Sequence, residues 1–228
     1  MLKAKKRKIY SLHYRDKTKN PELQKIINLA NHEGLVCHPS SLPKNLILSK
    51  DFKHEPPWIW AKVGKYPYVE LSELTLNKKD NSFLLAFDQI QDPQNLGAIL
   101  RSLYALGGSG AILPKNHSVG ITPTVSRVSA GAAEHLKIAL VSNLAQTLDN
   151  LKKKGYWLIG TSSKARQTLE EIPHPPHVLI FGNEHKGLRK SIEDKLDLSI
   201  GVPIRNDFDS LNVSASAAIM IYEILKNN

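Results

Sequence analysis

The chain has 228 residues, of which 41% are hydrophobic and 23% charged, and this composition excludes a disordered or collagen-like chain. A chain of this length can bury a sizeable core, so we expect one or two compact domains. Lysine and arginine number 31 against 21 aspartate and glutamate residues, a net charge of +10. The excess favours a polyanionic partner, RNA or DNA, although a generally basic protein has the same composition.

Cysteine usage and hydropathy narrow the cellular setting. The single cysteine, Cys37, excludes an intrachain disulfide, and no Cys and His spacing predicts a zinc site. A reducing, cytoplasmic compartment therefore fits best. The longest apolar runs, such as 83–87 and 217–221, are far shorter than the roughly 18 residues of a membrane span, so we expect a soluble protein without a membrane partner. The basic segment Lys3–Lys8 lacks the apolar stretch of a secretory signal; a transit peptide, a nuclear signal or an RNA-contacting tail would have the same composition.

Two domains are predicted, residues 1–76 and 83–228, joined by a polar linker at 77–82. The first is a small α/β unit. It has a strand near 8–13 and a helix that begins at Asn20-Pro21, because proline fits the first turn of a helix. Further β-leaning segments are 34–37, 58–63 and 68–71.

Two tryptophans of the first domain, Trp58 and Trp60, alternate along a predicted strand. Alternating aromatic residues of a strand are typical of half-buried packing, which we favour here over stacking on nucleic-acid bases.

From residue 83 onward, strands and helices alternate as they do in a parallel sheet covered by helices. Strands are predicted at 83–87, 110–113, 137–141, 156–160, 178–182 and 198–203. Helices are predicted at 95–106, 124–134, 143–154, 187–193 and 211–225.

Three polar loops follow predicted strands, where ligands bind in open α/β sheets. In 88–101, Asn95 and Arg101 are candidate functional residues, although an N-cap and a solvated charge are equally good interpretations. In 182–188, two glycines let the backbone approach a flat ligand closely, or they form a plain turn. In 202–217, Ser210 is a possible N-cap.

The second loop is not a phosphate loop. The Walker pattern needs a lysine and then serine or threonine after its second glycine, whereas Leu188 and Arg189 follow Gly187. In the third loop, Asn212, Ser214 and Ser216 open a helix although all are poor helix formers, which is typical of a site.

These segments, in this order and spacing, resemble the motifs of the SpoU family of RNA 2′-O-ribose methyltransferases, within the SPOUT superfamily. The matching motifs are 95–101, 182–188 and 202–214. The resemblance covers about residues 83–226, and it is strongest to the branch that methylates a guanosine ribose in bacterial large-subunit (23S) rRNA; 129–134 is also in keeping. Residues 1–76 are similar to the L30e-like substrate-binding domain of that branch, with its first strand and helix missing.

The resemblance implies an α/β fold, a SPOUT-type parallel sheet with helices on both faces and a C-terminal deep trefoil knot. It also implies a homodimer with the active site at the subunit interface. The implied cofactor is S-adenosylmethionine, with no metal. The implied cofactor-binding residues are Thr161, Gly182, Val202 and Leu211.

The residues that resemble the family's catalytic set are Asn95, Arg101, Glu184, Ser210 and Asn212. The family proposal makes the arginine a base, but a guanidinium is already protonated at neutral pH and would first have to lose a proton, so it is a poor base. We therefore favour a role for Arg101 in holding the phosphate beside the target ribose. The proton acceptor stays open between a phosphate oxygen, Arg101 and Glu184.

Several alternatives accompany this interpretation. His185 is a less favoured base, and His174 and His177 are expected to be surface residues of a proline-rich loop, not a metal pair. A tRNA ribose 2′-O-methyltransferase and a non-catalytic RNA-binding protein related to L30e are the alternative functions. A nucleotide hydrolase is disfavoured by the failed phosphate-loop spacing.

Overall fold

A computed structural model describes residues 1–15, 20–41, 43, 57–75, 83–108, 110–162, 165, 176–205 and 209–226. The chain divides into two compact units, Met1–Pro67 and Tyr68–Asn228. This division comes before the predicted boundary at residue 76, because Val69 pairs with Ala139 of the second unit. The predicted linker, 77–82, lies outside the described residues.

The first unit contains a three-stranded sheet and one described helix. Its elements are β1 (Ile9–Tyr14), α1 (Pro21–His32), β2 (Cys37–Pro39) and β3 (Ile59–Val63). The strands lie in the order β2-β1-β3, with β1 parallel to β2 and antiparallel to β3. Helix α1 begins as predicted: the side chain of Asn20 accepts a hydrogen bond from the backbone N of Glu22 (2.9 Å), and Pro21 occupies the first turn.

The second unit alternates strands and helices. Its elements are α2 (Leu71–Thr75), β4 (Phe83–Phe87), α3 (Pro93–Ala105), β5 (Gly110–Pro114), α4 (Pro123–Val128), a 3₁₀ turn (Ala132–Glu134), β6 (Lys137–Val141), α5 (Leu144–Lys153), β7 (Trp157–Thr161), β8 (His177–Phe181), α6 (Lys190–Glu193), β9 (Leu198–Ile200) and α7 (Val213–Lys226).

The six strands of this unit form one parallel sheet in the order β6-β5-β4-β8-β7-β9. Every residue of β4, β5 and β8 is buried, as expected of strands covered on both faces. Leu84 and Ala86 pack in a cluster with residues of α2, α5 and α6. Phe83, which alternates with them, lies on the face of α3, near Leu103. The predicted α/β fold with a parallel sheet is therefore confirmed.

Five local predictions differ from the structure. The β-leaning segment 34–37 contributes only Cys37 to β2, and the helix predicted at 187–193 begins at Lys190. The helix predicted at 124–134 ends at Val128, because Ala130 and Gly131 adopt left-handed backbone angles (φ 50° and 85°) that interrupt a right-handed helix. The strand predicted at 198–203 ends at Ile200. In the β-leaning segment 68–71, a helix begins at Leu71.

The packing of α3 depends on the absence of a side chain at Gly97. A Cβ there would lie 2.7 Å from Cβ of Val128 and 3.2 Å from the carbonyl oxygen of Val125. The first distance is too short for two carbon atoms, so a side chain would force α3 and α4 apart. The glycine of the first motif therefore serves close helix packing.

Among the helices in the described part of the chain, none has both the length and the apolar character needed to cross a bilayer.

Candidate active site

The central strands β4 and β8 are neighbours, so the loops that follow them meet at one edge of the sheet. The backbone N of Asp88 donates to the carbonyl oxygen of Phe181 (2.7 Å). The Asp88 carboxylate is fully buried and accepts hydrogen bonds from the backbone N (2.9 Å) and Nε (2.7 Å) of Arg189. This ion pair, whose carboxylate is buried and whose arginine side chain is 44% exposed, joins the two loops to each other.

Asp88 and Arg189 were not among the predicted site residues. The available signal was the position of Asp88, a charged residue directly after five apolar ones, where a strand ends. Nothing in the sequence indicated that Arg189, 101 residues later, is its partner.

Asn95, Glu184 and Asn212 form one hydrogen-bond network, and each comes from a different motif. Nδ2 of Asn95 donates to Oε1 of Glu184 (3.2 Å), and Nδ2 of Asn212 donates to Oδ1 of Asn95 (3.0 Å). Asn95 is 8% exposed, whereas Glu184 is half-buried and Asn212 exposed. The buried amide thus connects two more accessible side chains and orients the Glu184 carboxylate.

The capping alternatives for Asn95 and Ser210 are now decided. Asp92, not Asn95, caps α3, because its side chain accepts a hydrogen bond from the backbone N of Gln94 (2.8 Å). Asn212 rather than Ser210 binds the first turn of α7: its Oδ1 accepts from the backbone N (2.8 Å) and the Oγ (2.6 Å) of Ser214.

The loop 182–188 folds tightly upon itself. Backbone hydrogen bonds join Asn183 and Gly187 in both directions (3.0 and 2.9 Å), and Gly187 has a left-handed φ of 69°. A Cβ on Gly182 would lie 2.3 to 2.5 Å from backbone atoms of Gly187 and Leu188. The absence of a side chain at Gly182 therefore serves the folding of the loop, which supports the turn interpretation of this glycine.

A cavity of about 390 Å³ opens beside this loop, beyond the carboxyl ends of β7, β8 and β9. All four residues predicted to bind a cofactor line it: Thr161, Gly182, Val202 and Leu211. Glu184 and Ser210 of the predicted catalytic set also line it. Its volume lies within the range of small-molecule and cofactor sites.

The lining combines apolar walls with acidic groups. Ile204, Val213 and the buried Met220 are apolar lining residues beside Val202 and Leu211. Among the described lining residues, the carboxylates are those of Glu184, Glu193 and Asp209, against one lysine, Lys186. This arrangement suits a ligand that is partly apolar and partly cationic.

Arg101 lies apart from the network. It is six residues beyond Asn95 on α3, which turns it about 120° away around the helix axis. Its side chain is exposed, and within the described part of the chain it has no hydrogen bond or ion pair.

The histidines occupy different environments. His185 is exposed and borders the cavity. His177 is fully buried as the first residue of β8, so the expectation that it is a surface residue was wrong. It was misplaced because the strand begins immediately after Pro176, earlier than predicted. His174 lies outside the described residues.

The comparison with known families decides what this arrangement is. Residues 82–222, more than half of the chain, match the SpoU rRNA Methylase family. The chain belongs to that family.

Relatives and solved structures agree with this assignment. YacO of Bacillus subtilis strain 168, named as a TrmH family tRNA/rRNA methyltransferase, is 34% identical over 224 residues, or 96% of this chain and 89% of YacO. The SpoU methyltransferase AviRb of Streptomyces viridochromogenes, crystallised with AdoMet, has a TM-score of 0.79 at 21% identity, covering 96% of this chain and 83% of AviRb. A crystallised RNA 2′-O ribose methyltransferase has a TM-score of 0.76 at 25% identity, covering 99% of this chain and 83% of that protein.

Membership in the SpoU family confirms the resemblance inferred from the three motifs, and with it RNA methyl transfer as the class of reaction. SpoU methyltransferases use S-adenosylmethionine, which confirms the predicted cofactor. The similarity to AviRb, at 21% identity, supports the fold alone.

Proposed function

We propose that this SpoU family member transfers a methyl group from S-adenosylmethionine to a ribose 2′-hydroxyl of RNA, and that its target is a guanosine in large-subunit rRNA. The observation that carries the proposal is the Asn95–Glu184–Asn212 network at the border of the cavity. It places an oriented carboxylate beside a site that fits the cofactor.

The cavity residues fit S-adenosylmethionine. The apolar side chains of Val202, Leu211 and Met220 suit its adenosine, and the lining carboxylates suit its positive charge. When bound, the cofactor supplies a methyl group activated by the adjacent sulfonium. The hydroxyl of Thr161 donates to the carbonyl oxygen of Ile180 (3.2 Å), so towards the cavity it offers only an acceptor.

The chemistry at the ribose needs a positioned hydroxyl and a group that takes its proton. Glu184 is the carboxylate that the network orients at the cavity, so we assign it the proton-accepting role in preference to a phosphate oxygen or Arg101. The exposed guanidinium of Arg101 is suited to hold the phosphate beside the target ribose. Ser210 lines the cavity and is assigned to contact the reacting groups.

Two features of the architecture belong to the same proposal. We propose that the chain forms the C-terminal deep trefoil knot that the family resemblance implies, and the support is that residues 202, 204 and 209–211 border the same cavity as the loop after β8. We also propose a homodimer. Helix α7 buries Ala217, Ile221 and Ile224 on one side. Its other side presents Ile219 (39% exposed) and Tyr222 (55% exposed), apolar side chains that a second copy of the chain could cover.

The first unit is proposed to be an L30e-like domain that holds the RNA, in a cytoplasmic enzyme. Its support is charge: residues 1–67 contain 14 lysines and arginines against 5 aspartates and glutamates, a net charge of +9.

Mapping of ribose methylation across total RNA, from cells with and without the gene, tests the proposal. We expect one methylated guanosine of large-subunit rRNA to disappear with the gene, and the purified chain with S-adenosylmethionine to restore it. Loss of a tRNA methyl group instead would replace the proposed substrate by tRNA. An unchanged map, with no transfer in vitro, would favour the non-catalytic RNA-binding alternative.

A further inference from the structure

The sheet of the first unit carries three ring side chains in one row. His13 on the central strand β1 is directly opposite His38 of β2 and Trp60 of β3. The rings of His13 and Trp60 are nearly parallel, with an interplanar angle of 12° and a centroid distance of 5.8 Å. The rings of His13 and His38 are 5.6 Å apart. The row therefore crosses the sheet from one edge strand to the other.

The central ring of this row is held in place. Nε2 of His13 lies 2.8 Å from Oγ of Ser11, and its Nδ1 lies 3.2 Å from Oγ of Ser40, so both ring nitrogens are within hydrogen-bond distance of a hydroxyl. The central ring is thus fixed in orientation, and the two outer rings, those of His38 and Trp60, are the ones with a face turned away from the row.

This face of the sheet is accessible. His38 is exposed and Trp60 half-buried, whereas Leu12, which points to the opposite face, is only 5% exposed. Lys62, opposite Ser11 on β3, is exposed on the same face as the row.

The charge around the row suits a polyanion. The described carboxylates of this unit are Glu22 and Glu33, and each forms an ion pair with a lysine 2.7 Å away. Neither lies on a strand of the sheet. The row therefore lies, with Lys62 on the same face, in a unit whose residues 1–67 have a net charge of +9, and aromatic rings in a basic setting are the combination that binds single-stranded nucleic acid.

We propose that the His38–His13–Trp60 row binds unpaired nucleotides of the RNA substrate, by stacking of bases on the outer rings of Trp60 and His38. The proposal rests on RNA being the substrate, and it adds that this unit selects single-stranded segments. Stacking accepts any base, because every base has a π face, so the row favours unpaired RNA without reading its sequence.

Tryptophan fluorescence tests the proposal directly. In a full-length chain with Trp58→Phe and Trp157→Phe, Trp60 is the remaining tryptophan. Titration with an octauridylate is expected to quench its emission at the same concentrations that raise the fluorescence anisotropy of the labelled RNA. Binding without quenching would overturn the proposal.

Affinity measurements give a second test. Trp60→Ala is expected to weaken binding of the octauridylate by about 5- to 100-fold, the scale of losing one base stack, and to leave binding of an RNA duplex unchanged. Trp60→Phe keeps an aromatic ring and is expected to retain most of the affinity. His38→Ala is expected to weaken binding, and because His38 is exposed this substitution should hardly affect folding.

The matched control is Tyr10→Ala, which removes an exposed ring on β1, in the same sheet but outside the row. Equal losses of octauridylate affinity for Tyr10→Ala and Trp60→Ala would overturn the proposal. It would also be overturned if Trp60→Ala changed the oligomeric state, measured by light scattering, and left the RNA affinity unchanged. These assays involve no methyl transfer, so they test RNA binding separately from catalysis. If the octauridylate quenches Trp60 in a chain that proves inactive, the proposed catalysis is rejected and the RNA-binding row is retained.

Discussion

The two units of the chain differ most in their charge. Residues 1–67 have a net charge of +9, whereas the remaining 161 residues have 17 lysines and arginines against 16 aspartates and glutamates, a net charge of +1. The cavity and the Asn95–Glu184–Asn212 network belong to the second, nearly neutral unit. The excess positive charge and the candidate active site therefore belong to different units of the chain.

The two sheets also differ in how deeply their central strands are buried. The central strand β4 of the second unit is fully buried along its length, whereas in the central strand β1 of the first only Leu12 is buried. Buried strands hold a site rigidly, because their side chains are fixed by packing on both faces. A half-exposed sheet offers its side chains to a large ligand instead.

The sharpest test of this separation is Glu184→Gln. Removing the carboxylate is expected to lower the single-turnover rate of methyl transfer by about 100- to 1,000-fold, on the scale of losing a general base. RNA affinity, measured by fluorescence anisotropy, is expected to stay unchanged because the charge that attracts RNA lies in the other unit. Glu70→Gln is the matched control, since Glu70 is an exposed carboxylate of the same unit that does not line the cavity. A Glu184→Gln rate within tenfold of wild type would remove Glu184 from the mechanism.

Arg101 tests whether the second unit holds RNA at the point of reaction. Arg101→Ala is expected to lower methyl transfer by at least about 100-fold, as when a positioned charge is lost at a reacting centre. Calorimetric affinity for S-adenosylmethionine is expected to stay the same. Arg101→Lys is expected to remain well below wild type, because an ammonium lacks the planar fork that binds a phosphate.

The control for this position is Lys115→Ala, which removes another exposed cation of the same unit. If Arg101→Ala transfers methyl groups at the rate of the Lys115→Ala chain, Arg101 is only a surface charge of α3.

A smaller effect is expected from the lysines of the basic N-terminal segment. Lys3→Ala combined with Lys8→Ala removes two exposed charges of the first unit. If each contacts a phosphate, the slope of log affinity against log salt concentration falls by about 0.7 to 0.9 per lysine. The transfer rate at saturating RNA is expected to be unchanged. The control pair is Lys115→Ala with Lys153→Ala in the second unit. Equal changes in slope for both pairs would contradict the separation of charge from chemistry.

Local pattern was sufficient to predict most elements of the second unit, because buried strands such as β4 and β8 are continuous apolar runs. It was not sufficient where distant segments decide the outcome. Whether Asn95 is a cap or a site residue depends on Glu184 and Asn212, which are 89 and 117 residues away. The ion pair of Asp88 with Arg189 could not be predicted for the same reason, because the two residues are 101 positions apart.

The motif residues themselves were predicted through family resemblance, but not their physical roles. The resemblance placed Gly182 and Val202 at one cofactor site, and both border the cavity. It could not show that Gly182 is a glycine because backbone of the same loop occupies the space of its Cβ. Sequence patterns thus identify positions, whereas contacts explain why a residue type is needed there.

The smallest expected effect concerns how the basic segment is attached to the first unit. Nζ of Lys5 lies 2.7 Å from Oε2 of Glu33, and the hydrogen bond from Lys5 lowers the pKa of the Glu33 carboxyl. Because the folded-state pKa is lowered, the pair stabilises the folded chain above the usual glutamate pKa, about 4.3, and this contribution is lost as the pH falls through the lowered value. The contribution is small because both side chains are partly exposed and salt screens them.

An NMR titration of the Glu33 carboxyl, in the wild type and in Lys5→Ala, measures this coupling. The pKa is expected to rise towards its ordinary value in Lys5→Ala and, in the wild type, at high salt. An identical titration in both chains would show that the N-terminal segment is not attached through Glu33. The attachment of the segment would then depend on its other contacts, such as the hydrogen bond that Nζ of Lys6 donates to the hydroxyl of Tyr66 (2.7 Å).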